Sequence, residues 1–158
     1  MPCSTKPRPE PNAPGRYPAL LYAVSKAPAD IGKAAIALSL LDEPDLALSV
    51  QVLQESYVQA TRPNKADRLT REQAAALIQS WLRFPVQEIS VDILRAAVQL
   101  SQRFQLSYWD AAIIEAARAL GCREVLSEDL NAGQDYGGLT VVNPFRPGRS
   151  LRQRGKNR

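Results

Sequence analysis

The chain reads as an α/β domain built around a short, mostly parallel sheet. Two observations predict this. Short apolar or β-branched runs alternate with longer amphipathic segments, as strands alternate with helices. Polar capping residues stand just before most of the helical segments, and right-handed crossovers between such units yield parallel strands.

Taken in order, Met1–Pro18 holds six prolines and no apolar periodicity, so it is expected to lack structure. Ala19–Val24 is expected as a buried strand, although leucine and alanine also suit a helix. Pro28 suits the first turn of a helix running to Leu41, with Ile31, Ala34, Ala35, Leu38 and Leu41 along one face. A turn over Asp42–Asp45 leads to a strand at Leu46–Leu48. Ser49 caps a helix to about Thr61, striped by Val52, Leu53, Ser56, Tyr57 and Ala60, with Glu55 beside the stripe. After a loop, Thr70 and Gln73 form a capping-box pair for a helix to Leu82. Val86–Ile89 reads as a strand, and Ser90 caps a helix to Phe104.

Leu106–Phe145 is the most informative stretch. Ser107 is an N-cap, and Asp110 falls in the first turn, where a carboxylate favours the positive helix end. Ala111, Ile113, Ile114, Ala117 and Leu120 make the apolar face, and Gly121 fits the C′ position. Arg123–Ser127 is a short buried strand. Asn131–Gly138, with three glycines, is a loop, and Leu139–Val142 is a second strand before Pro144. Tyr108 and Trp109 read as core or interface aromatics rather than base-stacking platforms.

Composition narrows the chemistry. The 158 residues make one domain, with 45% hydrophobic content. No apolar run is long enough for a membrane span, and no signal peptide is apparent, so a cytoplasmic protein is expected. Cys3 and Cys122 lie far apart without a partner motif, which disfavours a disulfide framework or a zinc site. There is no histidine, which removes histidine-based triads and ligands. No phosphate-binding glycine motif occurs. Six basic residues and no acid fall in Arg146–Arg158, so the body is mildly acidic while the tail is basic. Such a tail can tether RNA through its phosphates, or simply aid solubility.

Carboxylates remain. In an open parallel sheet, ligands bind beyond the carboxyl ends of the strands. Glu55, Asp110 and Asp129 each follow a strand end or open a helix, so one sheet edge can gather all three. Clustered carboxylates need neutralising cations, and hard Mg2+ or Mn2+ prefers oxygen ligands. Singly, each acid has an ordinary reading: Asp110 as a capping residue, Glu55 as a solvated helix residue, Asp129 as a turn residue. Only their joint pattern points to metal-dependent hydrolysis of a phosphodiester.

The quoted residues also resemble a known family. Tyr108-Trp109-Asp110-Ala111-Ala112-Ile113-Ile114, then Leu126-Ser127-Glu128-Asp129-Leu130-Asn131 and Gly133-Gln134, are similar to the carboxyl half of a PIN domain, most of all in VapC-like ribonuclease toxins of toxin–antitoxin pairs. Ser49–Tyr57 and, more weakly, Leu20–Ser25 extend the likeness over Ala19–Phe145. The resemblance implies a three-layer α/β/α fold, a nuclease domain at residues 19–145 between unstructured ends (1–18 and 146–158), and Mg2+ or Mn2+ as cofactor. It implies RNA as substrate, an antitoxin as partner and homodimerisation, with Thr70–Leu82 and Val91–Phe104 offering faces. It assigns Glu55, Asp110 and Asp129 as catalytic metal-site acids, with Ser127 beside the metal and Glu128 as an alternative to Asp129.

One departure stands out. The family carries an aspartate near the end of its first strand, where this chain has Arg16-Tyr17-Pro18. One explanation is degeneration into a catalytically weak module that binds an antitoxin or dimerises, with Arg16 neutralising the remaining acids. The other is a reading-frame break. If Gly15–Pro18 were encoded GGT-CGA-TAC-CCN, reading one base later gives Val-Asp-Thr. An Arg16 codon other than CGA or CGG ends that hypothesis.

Overall fold

The computed structural model describes residues 17–147. The chain starts with helix α1 (Tyr17–Leu21) and a 3-10 turn (Tyr22–Val24). This replaces the strand expected at Ala19–Val24. The run has no β-branched residue before Val24, and leucine, alanine and tyrosine bury equally well in a helix. Ala19, Leu20 and Leu21 are core residues. The expected lack of structure over Met1–Pro18 otherwise lies outside the described residues.

A 3-10 turn at Pro28–Asp30 leads into α2 (Ile31–Leu41). Its buried face is Ala37 and Leu40, not the predicted one, and Ile31 and Leu38 are exposed. The sequence IGKAAIALSLL is apolar almost all round, so periodicity could not choose a face.

Strand β1 (Leu48–Ser49) runs into α3 (Val50–Ala60), and α4 (Arg71–Trp81) precedes β2 (Val86–Gln87). Helices α5 (Val91–Phe104) and α6 (Tyr108–Ala119) pack against each other ahead of β3 (Glu124–Leu126) and β4 (Thr140–Val142). The serine and threonine caps form as expected. Val52 N–H donates to Ser49 Oγ (3.3 Å), and Ile93 N–H to Ser90 Oγ (3.2 Å). Thr70 and Gln73 exchange both bonds of the capping box, at 3.1 and 2.9 Å. Gly121, at φ 74°, ends α6 in the left-handed region that glycine adopts without strain.

Among the described residues both strand ladders are parallel, in line with the mostly parallel sheet expected, and an isolated antiparallel bridge joins Asp135 to Thr140. Leu48 pairs with Val86 and Ser49 with Gln87; Glu124, Val125 and Leu126 pair with Thr140, Val141 and Val142. Among the described residues the four strands make two two-stranded ladders rather than one sheet. Helix α6 unites them, packing on α5 and touching β1, β2 and β3. Ala111–Ile114, Ala116 and Ala117 are buried, so α6 is the central helix. Among the described residues no helix is long and apolar enough to cross a membrane.

Candidate active site

Ser49 ends β1 and caps α3, which places Gln51 and Glu55 one turn apart on one helix face. Gln51 is 3% exposed. Its Nε2 donates to Glu55 Oε1 at 2.9 Å and to the carbonyl of Trp109 at 3.1 Å. One buried amide therefore ties Glu55 to the first turn of α6, the turn that carries Asp110.

Asp110 is held by its own cap. Its N–H donates to Ser107 Oγ (3.1 Å), and the Ser107 hydroxyl donates to Asp110 Oδ2 (2.8 Å). The Asp110 charge reaches the loop between β3 and β4. Burial first, and then the Asp110 carboxylate, push the Tyr136 hydroxyl above its ordinary pKa. Tyr136 is buried and meets Phe104 edge to face, with ring centroids 5.0 Å apart. Arg118 of α6 donates to the carbonyls of Tyr136 and Gly137, holding this loop against the helix.

Asp129 lies just beyond β3, on a turn built by Ser127. The buried Ser127 Oγ accepts the N–H groups of Asp129 (3.2 Å) and Leu130 (3.1 Å). Ser127 thus shapes the turn that carries Asp129.

Glu128 turns to other partners. Lys33 Nζ reaches its Oε2 at 2.7 Å, and the Tyr22 hydroxyl donates to Oε1 at 2.8 Å. Lys33 also donates to the Tyr22 oxygen (3.1 Å) and lies over the Tyr22 and Phe145 rings, 4.5 and 5.2 Å from their centroids. Chiefly the hydrogen bond to Glu128, then that to Tyr22, raise the Lys33 pKa. This lock joins α2, the turn after α1, the β3–β4 loop and the segment after β4.

Sequence reasoning missed Gln51, Lys33, Tyr22 and Tyr136. The four-residue spacing of Gln51 and Glu55 was a visible signal for one pair. Contacts across 58 and 95 residues leave no local trace.

Among the described residues, no group of three or more His, Cys, Asp or Glu side chains is placed to hold a metal ion. The acids therefore do not form a ready cage for a divalent cation. One feature fits that result: Glu128 is engaged by Lys33. A separate cleft of about 360 Å3 lies between α5, α6 and the Tyr136–Gly137 loop. Arg103, Glu115 and Arg118 line it, and none of the predicted acids does.

A family model described as "PIN domain" matches residues 19–134. The match starts just past Arg16-Tyr17-Pro18. The chain is similar to a solved chain of a toxin–antitoxin complex from Klebsiella pneumoniae, with 23% identity and a TM-score of 0.61, over 84% of this chain and 98% of that one. It is also similar to VapC20 of Mycobacterium tuberculosis, a sarcin-ricin loop cleaving toxin, with 17% identity and a TM-score of 0.55, over 70% and 85% of the two chains. At these identities the structural likeness speaks for the fold. No curated protein matches the chain.

Proposed function

Since the chain belongs to the PIN domain family, we propose that it is a VapC-like endoribonuclease toxin of a type II toxin–antitoxin pair, acting in the cytoplasm. In this reading it hydrolyses RNA phosphodiester bonds with Mg2+ or Mn2+ and uses Glu55, Asp110 and Asp129. The observation that carries it is the Gln51 amide, which binds Glu55 and the first turn of α6 at once. That link supports a reading in which Glu55 and Asp110 act together, with Asp129 carried by the Ser127 turn. Asp129, on the turn that Ser127 shapes, is taken as the third acid, with Glu128, paired with Lys33 and Tyr22, as the alternative.

An antitoxin has an apolar surface to cover. Ile31 is 71% and Leu38 53% exposed, one helix face apart by seven residues. A homodimer has another on α5, where Val91, Leu94 and Val98 are all exposed.

The test is RNA cleavage by the purified protein, with and without chelator, beside Asp110→Ala. Both the chelator and the substitution are expected to abolish cleavage. Cleavage that persists through both refutes the assignment.

A second reading is favoured by the absence, among the described residues, of a three-carboxylate group able to hold a metal, and by the sequence at Arg16. Here the chain is a catalytically weak PIN module that binds an antitoxin or dimerises. It predicts no cleavage by the chain as it stands, together with a stable complex with a partner.

A further inference from the structure

Two tryptophans occupy opposite environments. Trp81 is buried to 1% exposure, whereas Trp109 is 60% exposed. Of the two expected roles for Trp109, core or interface aromatic, its exposure rules out the core. Leaving an indole in water forgoes the burial of a large aromatic surface, and tryptophan is enriched where proteins contact partners and ligands. Trp109 precedes Asp110 in the first turn of α6, so their Cα atoms are about 3.8 Å apart. Its carbonyl is gripped by the same Gln51 amide that holds Glu55. The Tyr108 ring meets the indole edge to face, with centroids 5.2 Å apart and planes at 73°. The ring is thus exposed and backed by a neighbour, and the backbone that carries it is fixed at the start of α6 by Gln51.

We propose that Trp109 is a stacking platform for a nucleobase of single-stranded RNA, next to the phosphate addressed by Glu55 and Asp110. This rests on the ribonuclease reading above and adds a substrate-binding residue to it. Unstacked RNA bases stack on exposed aromatic rings, and such stacking tolerates any base because every base has a π-face. Trp109 therefore adds affinity for unpaired RNA with little sequence preference of its own.

The test uses a short oligouridylate in Ca2+ buffer, with the intact chain, Trp109→Phe and Trp109→Ala. Intrinsic fluorescence and the anisotropy of a labelled oligomer are read together. The fluorescence difference between the intact chain and Trp109→Phe reports Trp109 alone, since Trp81 is common to both. The oligouridylate is expected to quench that signal saturably, while an abasic ribose-phosphate oligomer of equal length does not. Trp109→Ala weakens binding about tenfold, and Trp109→Phe much less.

If the oligomer binds without quenching, and as tightly to Trp109→Ala, stacking is refuted while the ribonuclease reading stands. If it does not bind at all, both fall. If the Trp109 signal changes with protein concentration and not with RNA, the ring faces another polypeptide and the proposal is overturned. Because Trp109 is exposed, an unchanged melting temperature in both variants confirms intact folding.

Discussion

Replacing Gln51 by leucine tests the join between α3 and α6. Leucine preserves most of the volume at this 3% exposed position and removes both hydrogen bonds. The bond to the Glu55 carboxylate is charge-assisted, a class that contributes roughly 1.5–3 kcal/mol, while the bond to the Trp109 carbonyl contributes about 1 kcal/mol. Glu55 is only half-buried, so water recovers part of the first bond, and a net loss of about 2 kcal/mol is expected. For a domain of this size that is a fall in melting temperature of roughly 4–8 °C. The assay is thermal unfolding of a double-mutant cycle with Glu55→Gln, read by circular dichroism. The coupling between the two positions should be about 1–2 kcal/mol. Independent effects, with a melting temperature for Gln51→Leu within about 1 °C of the parent, would refute the shared-amide account.

Removing the α3 cap by Ser49→Ala should cost about 1 kcal/mol, read as a lower urea midpoint with an unchanged slope. Lys33→Met breaks the lock on Glu128. Because Lys33 is more than a third exposed, solvent screening limits the loss to about 1 kcal/mol. The Lys33 pKa is raised on folding, so its contribution is complete below the amine's ordinary value of about 10.4 and fades only as pH rises beyond it. The parent should therefore exceed the variant in melting temperature throughout neutral pH. Burial pushes the Cys122 thiol up to about 12. Its stabilisation is full below the unfolded thiol's value of about 8.5 and is lost as pH climbs from there towards the folded value. In a Cys3→Ser background, iodoacetamide should label Cys122 slowly at a pH of about 9 and rapidly once the chain is unfolded in urea.

Much of the architecture was written in local chemistry. Ser49, Thr70, Ser90 and Ser107 announced helix starts because a hydroxyl before an apolar run has one effective use there, and all four caps formed. Periodicity failed where it carried no information. Helix α2 is apolar around nearly its whole circumference, so its buried Ala37–Leu40 face could only be set by packing. The run at Ala19–Val24 was short and apolar, and tertiary context made it helical. At the site, the acids were visible as types at strand and helix ends. Their supports were not, since Gln51 reaches across to Trp109 and Lys33 across to Glu128.

In the proposed reading Glu55, Asp110 and Asp129 share one cation, and an aspartate at position 16 would add a ligand to it. Calorimetric titration of Mn2+ into the parent chain, Arg16→Asp and Arg16→Asp with Asp110→Ala tests it directly. Arg16→Asp should bind Mn2+ at least about tenfold more tightly than the parent, as expected when a carboxylate ligand is added and a positive charge removed. Adding Asp110→Ala should remove that gain. Equal affinity in the parent and Arg16→Asp, or a gain that survives the loss of Asp110, would contradict the claim.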